Sequence, residues 1–550
     1  MKVLKLILAV FLLNCNPILS QNIIEMLGSP TDNSITVSVL FTKKVEFYIE
    51  YSEFAGSYND KTSTFNNVPN KPDKLELQYL SPDTRYYYRT RYRENSTGSF
   101  LTGEEHTFHT QRKPGSTFTF TIEADEHLYD KKGNRNIYKI CIDNQVKDSP
   151  DFMFTMGDIF GDDHTPTTTT TEDMDELHKD YLQYLGKICH SSPLFICLGN
   201  HEGEKAYYLH QNPPENIAVY GTLWRKYYYA NPYPNHFYSG NTDVEDFGIG
   251  NPENYYAFIW GDALFVVLDV YRYASLTSPK PGNWNWTLGQ KQYDWLKQTL
   301  ENNNSKFKFV FAHHVSGEGR GGINQARKFE WGGYDADGIT YNFTQNRPDM
   351  AKPIHQLFID NKVNIFFQGH DHLFARETMD GVIYQEVPMP SDSTYSLGMI
   401  ANADAYVSDT IGGTGHLRVS VCPTGVKVDF VRAWLPKDTL SGENKNRDVA
   451  FSYTIGDYTS DIKTLIDNED LISIYPNPTS QEVNIQNPEN SLIKEISIID
   501  ISGKTLLSNK IYSNAGLQKI DISNQKKGIY IVRIVTENGV VNRKLIKTTY

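Results

Sequence analysis

Leu194-Phe195-Ile196-Cys197-Leu198-Gly199-Asn200-His201-Glu202 is five apolar residues, then a glycine, then three side chains that bind or move charge. The apolar run has the length of a buried strand. The glycine lets the chain turn tightly where a Cβ would obstruct the backbone. The same order recurs along the chain. Phe118–Ala124 leads into Asp125-Glu126-His127, Phe152–Met156 into Gly157-Asp158, Phe307–Ala312 into His313-His314, and Val363–Phe367 towards Gly369-His370-Asp371-His372. Ala263–Leu268 is a further strand. Apolar residues at helical spacing predict helices over Asn136–Val146, Glu172–Ile188, Trp286–Leu300 and Lys352–Ile359. This alternation predicts a layered α/β fold over about 117–437. Such sheets bind ligands beyond the carboxyl ends of their strands, so five strands deliver Asp, Asn and His to one rim.

The flanks read differently. Residues 22–112 predict a small β-sandwich, in which Ser34–Leu40 alternates polar and apolar. Leu80-Ser81-Pro82-Asp83-Thr84-Arg85-Tyr86 resembles the fibronectin type III pattern around its tyrosine corner, with Tyr86 as the corner residue. Lys113-Pro114-Gly115 reads as a joint. Residues 438–468 are polar and read as a linker. Residues 469–550 carry short β-branched strands parted by Asn-Pro, Ser-Gly, Lys-Gly and Asn-Gly, a second β-sandwich. The expected architecture is therefore multidomain, an α/β region flanked by two all-β sandwiches. Thr167–Thr171 reads as a flexible loop.

A chain of 550 residues has room for about three domains. With 39% hydrophobic, 22% charged and 13% aromatic residues it is neither disordered, collagenous nor a coiled coil. A net charge of −13 lacks the electrostatic footprint of a nucleic-acid binder. No internal run reaches the roughly 18 apolar residues of a membrane span. Lys2, Lys5, the apolar Leu6–Leu13 and the small Ser20 read as an export signal over residues 1–20. Cys15 opens a second reading, lipoprotein processing, but Asn14 stands where that route wants a small residue. Cys141, Cys189, Cys197 and Cys422 fit neither a zinc ribbon nor a Cys-x-x-Cys pair.

Carboxylate, carboxamide and imidazole together suit borderline divalent and trivalent metals. The rim has too many such groups for one ion. Two ions need a bridging ligand, and Asp158 is the natural one. The order Asp-x-His, Gly-Asp, Gly-Asn-His-Glu, His-His, Gly-His-x-His is similar to that of the calcineurin-like metallophosphoesterases. With the fibronectin-like module before it, the chain over 22–437 resembles the purple acid phosphatase branch. That resemblance implies a four-layer αββα sandwich holding two metal ions, iron, manganese or zinc. Asp125, His127, Asp158 and His372 would hold the first; Asp158, Asn200, His313 and His370 the second. His201 would be the catalytic residue, facing the phosphoryl group or the leaving group. A metal-bound hydroxide would hydrolyse small phosphate monoesters or diesters. Purple acid phosphatases have a ligand Tyr in Gly-Asp-x-x-Tyr; here Gly161 takes that place and His127 supplies the missing ligand, so no tyrosinate colour is expected.

Other residues admit two readings. His314 reads as a substrate contact or as support for the site. Arg320, in the glycine-rich Ser316–Gly322, reads as a phosphate grip or as a solvated side chain. Glu202 and Asp371 read as structural, and His164 as a loop residue near Asp158. Glu330-Trp331-Gly332-Gly333 and the run Trp224 to Tyr238 either shape the rim or pack an insertion. Finally, Ile474-Tyr475-Pro476-Asn477-Pro478, Asp500-Ile501-Ser502-Gly503-Lys504 and Lys527-Gly528-Ile529-Tyr530 resemble the type IX secretion sorting domain of Bacteroidetes. The resemblance implies passage through the periplasm by the type IX machinery to the surface or the medium. The implied function is a secreted dinuclear phosphoesterase. The alternative is a non-catalytic surface binding or adhesion protein on the same scaffold, from which lost ligands would be expected.

Overall fold

The computed structural model describes residues 23–458, except 160–163, 275–282, 316, 398–402 and 408. It also describes 472–548, except 488–491, 501–503, 514 and 537–538. The export signal, Gly161 and the end of the expected linker lie outside the described residues.

The apolar runs become the inner strands of two facing sheets. One sheet has nine strands, with Phe118–Glu123, Phe152–Thr155 and Leu194–Ile196 parallel at its centre. The other has eight, with Ala263–Val267, Phe307–Phe311, Ile365–Gln368 and Val382–Glu386 parallel. Between them lies an aromatic core. Phe154 stacks on Phe311 with ring centroids 4.2 Å apart, and Phe120 meets Phe265 edge-on at 5.2 Å. Helices cover both outer faces. Thr171–Cys189, started by a Thr170–Asp173 capping box, buries Tyr181, Leu185 and Ile188 on the first sheet. Gly289–Glu301 and Ile354–Asp360 bury Leu296, Leu300, Leu357 and Phe358 on the second. The result is the expected four-layer αββα sandwich.

The polar stretch expected to be a linker departs from that reading. Val449–Gly456 is the outermost strand of the nine-stranded sheet, paired with Gly425–Arg432. Phe451, Tyr453 and Ile455 pack inward while the residues between them face out. One buried face of an edge strand needs only that alternation, so the mean polarity conceals it.

Residues 23–109 form two sheets around Val37, Phe47, Ile49, Tyr88 and Phe108. The Tyr86 hydroxyl accepts the Ser81 N–H at 2.8 Å, the bond of a tyrosine corner. The first of these sheets is not separate. Ile23–Gly28, Ile35–Phe41 and Pro72–Leu77 continue the nine-stranded sheet, joined in parallel where Gly28 lies opposite Leu194. Residues Thr459–Tyr550 are a second compact unit. It has a three-stranded and a four-stranded sheet and its own core of Val483, Ile485, Ile496, Ile498, Val532, Ile534 and Leu545. The four cysteines described are buried, unpaired thiols.

Candidate metal centre

Every candidate ligand sits just past the end of a parallel strand. Asp125, His127, Asp158, His370 and His372 have φ of 61°, 45°, 58°, 80° and 63°. Non-glycine residues in that left-handed region cost about 1–3 kcal/mol each and persist where the surroundings over-determine them. Two glycines let the loops close on one another. A Cβ on Gly157 would enter the backbone of Gly199, and a Cβ on Gly199 would meet the Asp158 carboxylate.

Three groups of donors result: Asp125, His127 and His372; His127, Asp158 and His201; Asp158, His313 and His370. Within each, ligand atoms lie within 4.8 Å of one another. His127 Nε2 and His372 Nε2 are 3.0 Å apart. Asp125 Oδ1 is 3.4 Å from His372 Nε2, and Asp158 Oδ2 is 3.3 Å from His313 Nε2 and 3.9 Å from His127 Nε2. Asp158 thus stands between the two halves of the cluster. Asp125 Oδ1, Asn200 Oδ1, His313 Nε2 and His370 Nε2 are buried and have no hydrogen-bond partner among the described residues. Buried polar atoms without partners are costly, and donors of these types are what bound cations would satisfy. The residues present fit a metal cluster.

The electrostatics agree. Burial alone would depress the His313 imidazole, but the Asp158 and Asp125 carboxylates outweigh it and raise it to about 10. Burial, reinforced by His372, lowers His127 to about 4. Burial opposes ionisation of Asp158, yet His313 and His201 hold its carboxyl well below the usual range. The two carboxylates thus favour positive charge at His313, while burial pushes His127 and His370 towards the neutral form.

The supporting residues are specific. Glu202 accepts N–H groups of Gly199, Asp158 and Ile159 at 2.6, 3.0 and 2.7 Å, so it holds two ligand loops rather than a metal. Asp371 is fully buried and accepts from Arg320 Nη1, the Gly321 N–H and the Tyr406 hydroxyl. His314 is fully buried too, its Nε2 bonding the Gly321 carbonyl at 3.1 Å, which places it behind the glycine loop. Arg320 reaches the His370 carbonyl at 2.5 Å with the same Nη1 that meets Asp371, and stands at the cleft. His164 stacks on His201 at 4.8 Å. Trp331 is 2% exposed and packs on Phe366 and Phe358, which settles it as core.

Sequence reasoning missed several neighbours. The Tyr129 hydroxyl lies 2.9 Å from His127 Nδ1, with Asp130 Oδ2 at 3.3 Å from the same nitrogen. That fixes the ring so that Nε2 faces the cluster. Lys205, Tyr207, Tyr208 and Glu318 line the cleft beside Asn200 and His201. No spacing rule marks these residues. The one available signal was their closeness to motif residues.

Residues 118–374 match the family model of the calcineurin-like phosphoesterases. They are a calcineurin-like phosphoesterase domain. All seven candidate ligands of the phosphoesterase domain fall in that span. Residues 473–548 match the secretion system C-terminal sorting domain. Among solved structures, the chain is similar to that of PhoD, with TM-score 0.55, 14% identity, 79% of this chain covered and 90% of that one. It is also similar to purple acid phosphatase PPD1 from yellow lupin (Lupinus luteus) seeds, with TM-score 0.51, 16% identity, 78% of this chain and 74% of that one. At such identity these likenesses establish the fold alone. No curated protein sequence matches the chain.

Proposed function

We propose that the protein is a secreted phosphoesterase that uses two metal ions to hydrolyse phosphate monoesters or diesters. The observation that carries this is the set of buried donor atoms on Asp125, Asn200, His313 and His370 that have no hydrogen-bond partner among the described residues, beside a cleft that Asn200 and His370 line. Asp125, His127, Asp158 and His372 would hold one ion; Asp158, Asn200, His313 and His370 the other. When bound, the ions supply Lewis-acid charge and activate water at neutral pH. The protein's own residues do the rest. The His201 backbone N–H donates to Asp158 Oδ1 at 2.7 Å, which orients the shared carboxylate. The His201 imidazole, 17% exposed, faces the cleft and can donate a hydrogen bond to a phosphoryl or leaving-group oxygen. Arg320, fixed through Nη1, keeps Nε and Nη2 for a phosphate oxygen. Tyr129 and Asp130 hold His127, and Glu202 holds the loops.

The sorting domain supports a secreted or surface destination, with the type IX machinery as the export partner. The described residues include no helix long and apolar enough to cross a membrane. A non-catalytic scaffold protein would be expected to have lost ligands, and none is missing here.

The test is a panel of phosphate esters with purified, metal-analysed protein. Asp158→Ala and Asn200→Ala should each lower bound metal and cut kcat/KM by at least about a thousandfold. Full metal content with full activity in either variant would sink the assignment.

A further inference from the structure

The cleft beside the candidate metal centre has a volume of about 530 Å3, several times what a phosphate group fills. Asn200, His201 and His370 are the part of its lining that would take the phosphate. Other lining residues have a different chemistry. Tyr207 and Tyr208 stand there with ring centroids 4.5 Å apart at 63°. Tyr207 is buried, while Tyr208 is half-exposed and lines the cleft. The Lys205 ammonium lies 5.7 Å from both rings on a side chain only 2% exposed, and it is paired with Glu318.

Glu318 spends one oxygen on that lining. Its Oε1 takes the Lys205 ammonium and lies 3.5 Å from the Tyr207 hydroxyl. Among the described residues its Oε2 has no hydrogen bond, and the side chain, 27% exposed, lines the cleft. The buried lysine holds the carboxylate in place, so the remaining oxygen is an acceptor at a set position. A phosphate binds poorly next to a carboxylate. An aromatic wall with a fixed acceptor beside it suits a flat ring that carries an N–H donor.

We propose that this aromatic part of the lining is a leaving-group subsite for a nucleobase, with Tyr208 stacking on the ring and Glu318 Oε2 accepting a base N–H. The substrate class is then nucleoside phosphates. The proposal rests on the phosphoesterase reading above, which places the phosphate against Asn200, His201 and His370. Stacking on an aromatic side chain tolerates any base, because every base has a π-face. The Glu318 oxygen adds preference for bases with an N–H or exocyclic amine at their edge.

The experiment compares guanosine 5′-monophosphate, glucose 6-phosphate and glycerol 3-phosphate as substrates of the full-length, metal-loaded protein. The nucleotide should have a kcat/KM about tenfold or more above the other two. Tyr208→Ala should remove most of that advantage while leaving glycerol 3-phosphate within about twofold. Tyr208→Phe should retain it, and Glu318→Gln should reduce it. Equal losses on all three esters, no loss on any, or a preference for the sugar phosphate would overturn the subsite while leaving the phosphoesterase reading intact. If metal-loaded protein hydrolyses none of the three, calorimetric titration with the same ligands decides. Nucleotide binding that Tyr208→Ala weakens and Tyr208→Phe preserves would support the subsite and reject hydrolysis. Absence of nucleotide binding would reject the subsite.

Discussion

The two β-rich ends of this chain have similar architectures and opposite relations to their surroundings. The N-terminal sheets share a sheet, a core and hydrogen bonds with the phosphoesterase domain. Met26 and Leu40 lie in one buried cluster with Tyr181, Leu182 and Leu185 of the helix Thr171–Cys189. The Tyr88 hydroxyl donates to the His190 carbonyl at 2.7 Å, and the Ser38 hydroxyl to the Tyr228 carbonyl at 3.2 Å. The C-terminal sandwich instead closes its core on its own residues and forms a separate compact unit. A small β-module is thus a detachable domain or a wall of its neighbour according to where its apolar faces and edges are satisfied.

The largest effect should come from removing the N-terminal module. Deleting 23–112 would strip a long stretch of paired strand from the nine-stranded sheet and uncover Tyr181, Leu182 and Leu185. The expected result is an aggregating protein without activity or cooperative melting. A soluble, active remainder with a cooperative transition would break the comparison.

A single-atom version compares two glycines. A Cβ at Gly28, the residue that joins the modules, would run into the Ala230 carbonyl and approach the Ala230 Cβ to 2.9 Å. At Gly528, in the sorting domain, the nearest neighbour to such a Cβ is the Tyr530 ring at 3.9 Å. Gly28→Ala should destabilise the large unit by about 2–3 kcal/mol through overpacking. Gly528→Ala should stay within about 0.5 kcal/mol. Denaturant midpoints of the two variants read the difference directly.

The seam also contains a histidine cluster that the sorting domain lacks. His106 pairs with Glu25 at 3.0 Å and stacks on His190 with centroids 4.0 Å apart. Burial, together with neighbouring His106, lowers the His190 imidazole to about 4. In the unfolded chain a histidine titrates near 6.5. Between those values the unfolded state holds more protons than the folded one, so stability falls as pH falls from about 6.5 to about 4. Discounted for its partial exposure, the His190 share is about 2 kcal/mol. His190→Gln should flatten that slope in pH-dependent urea melts of the large unit. An unchanged slope would remove His190 from the account. Residues 459–550 contain no histidine, so no such contribution is expected from them.

These contrasts show what a one-dimensional reading can reach. The strands leading to Asp125, Asp158, Asn200, His313 and His370 were legible because each is an apolar run closed by its own polar cluster. The helices over 135–147 and 171–189 were legible from periodicity. The seam was not, because the pairing of Gly28 with Leu194 joins residues far apart in the chain, and nothing local encodes it. Val449–Gly456 was hidden because an edge strand buries one face and averages to a polar segment. Tyr129 and Glu318 escaped for another reason. Their roles depend on which loop lies across from them, and Tyr and Glu are ordinary surface residues until that loop is placed.

The smallest expected effect is on catalysis when the C-terminal unit is removed. Every candidate ligand lies between Asp125 and His372, and every residue lining the candidate cleft between His164 and His370. A metal site must hold its ligands to within about 0.5 Å, which residues of a separate compact unit are poorly placed to do. The sorting unit also closes its own core, from Ile472 to Leu545. Ending the chain after Tyr458 should therefore leave kcat/KM and metal content of the purified enzyme within about twofold. It keeps Val449–Gly456, the outermost strand of the nine-stranded sheet; ending it at 437 would remove that strand and should cost stability. In the native host the cut after Tyr458 should strand active enzyme in the periplasm. Loss of metal from a folded truncation, or normal arrival at the cell surface, would show that the tail is more than an export module.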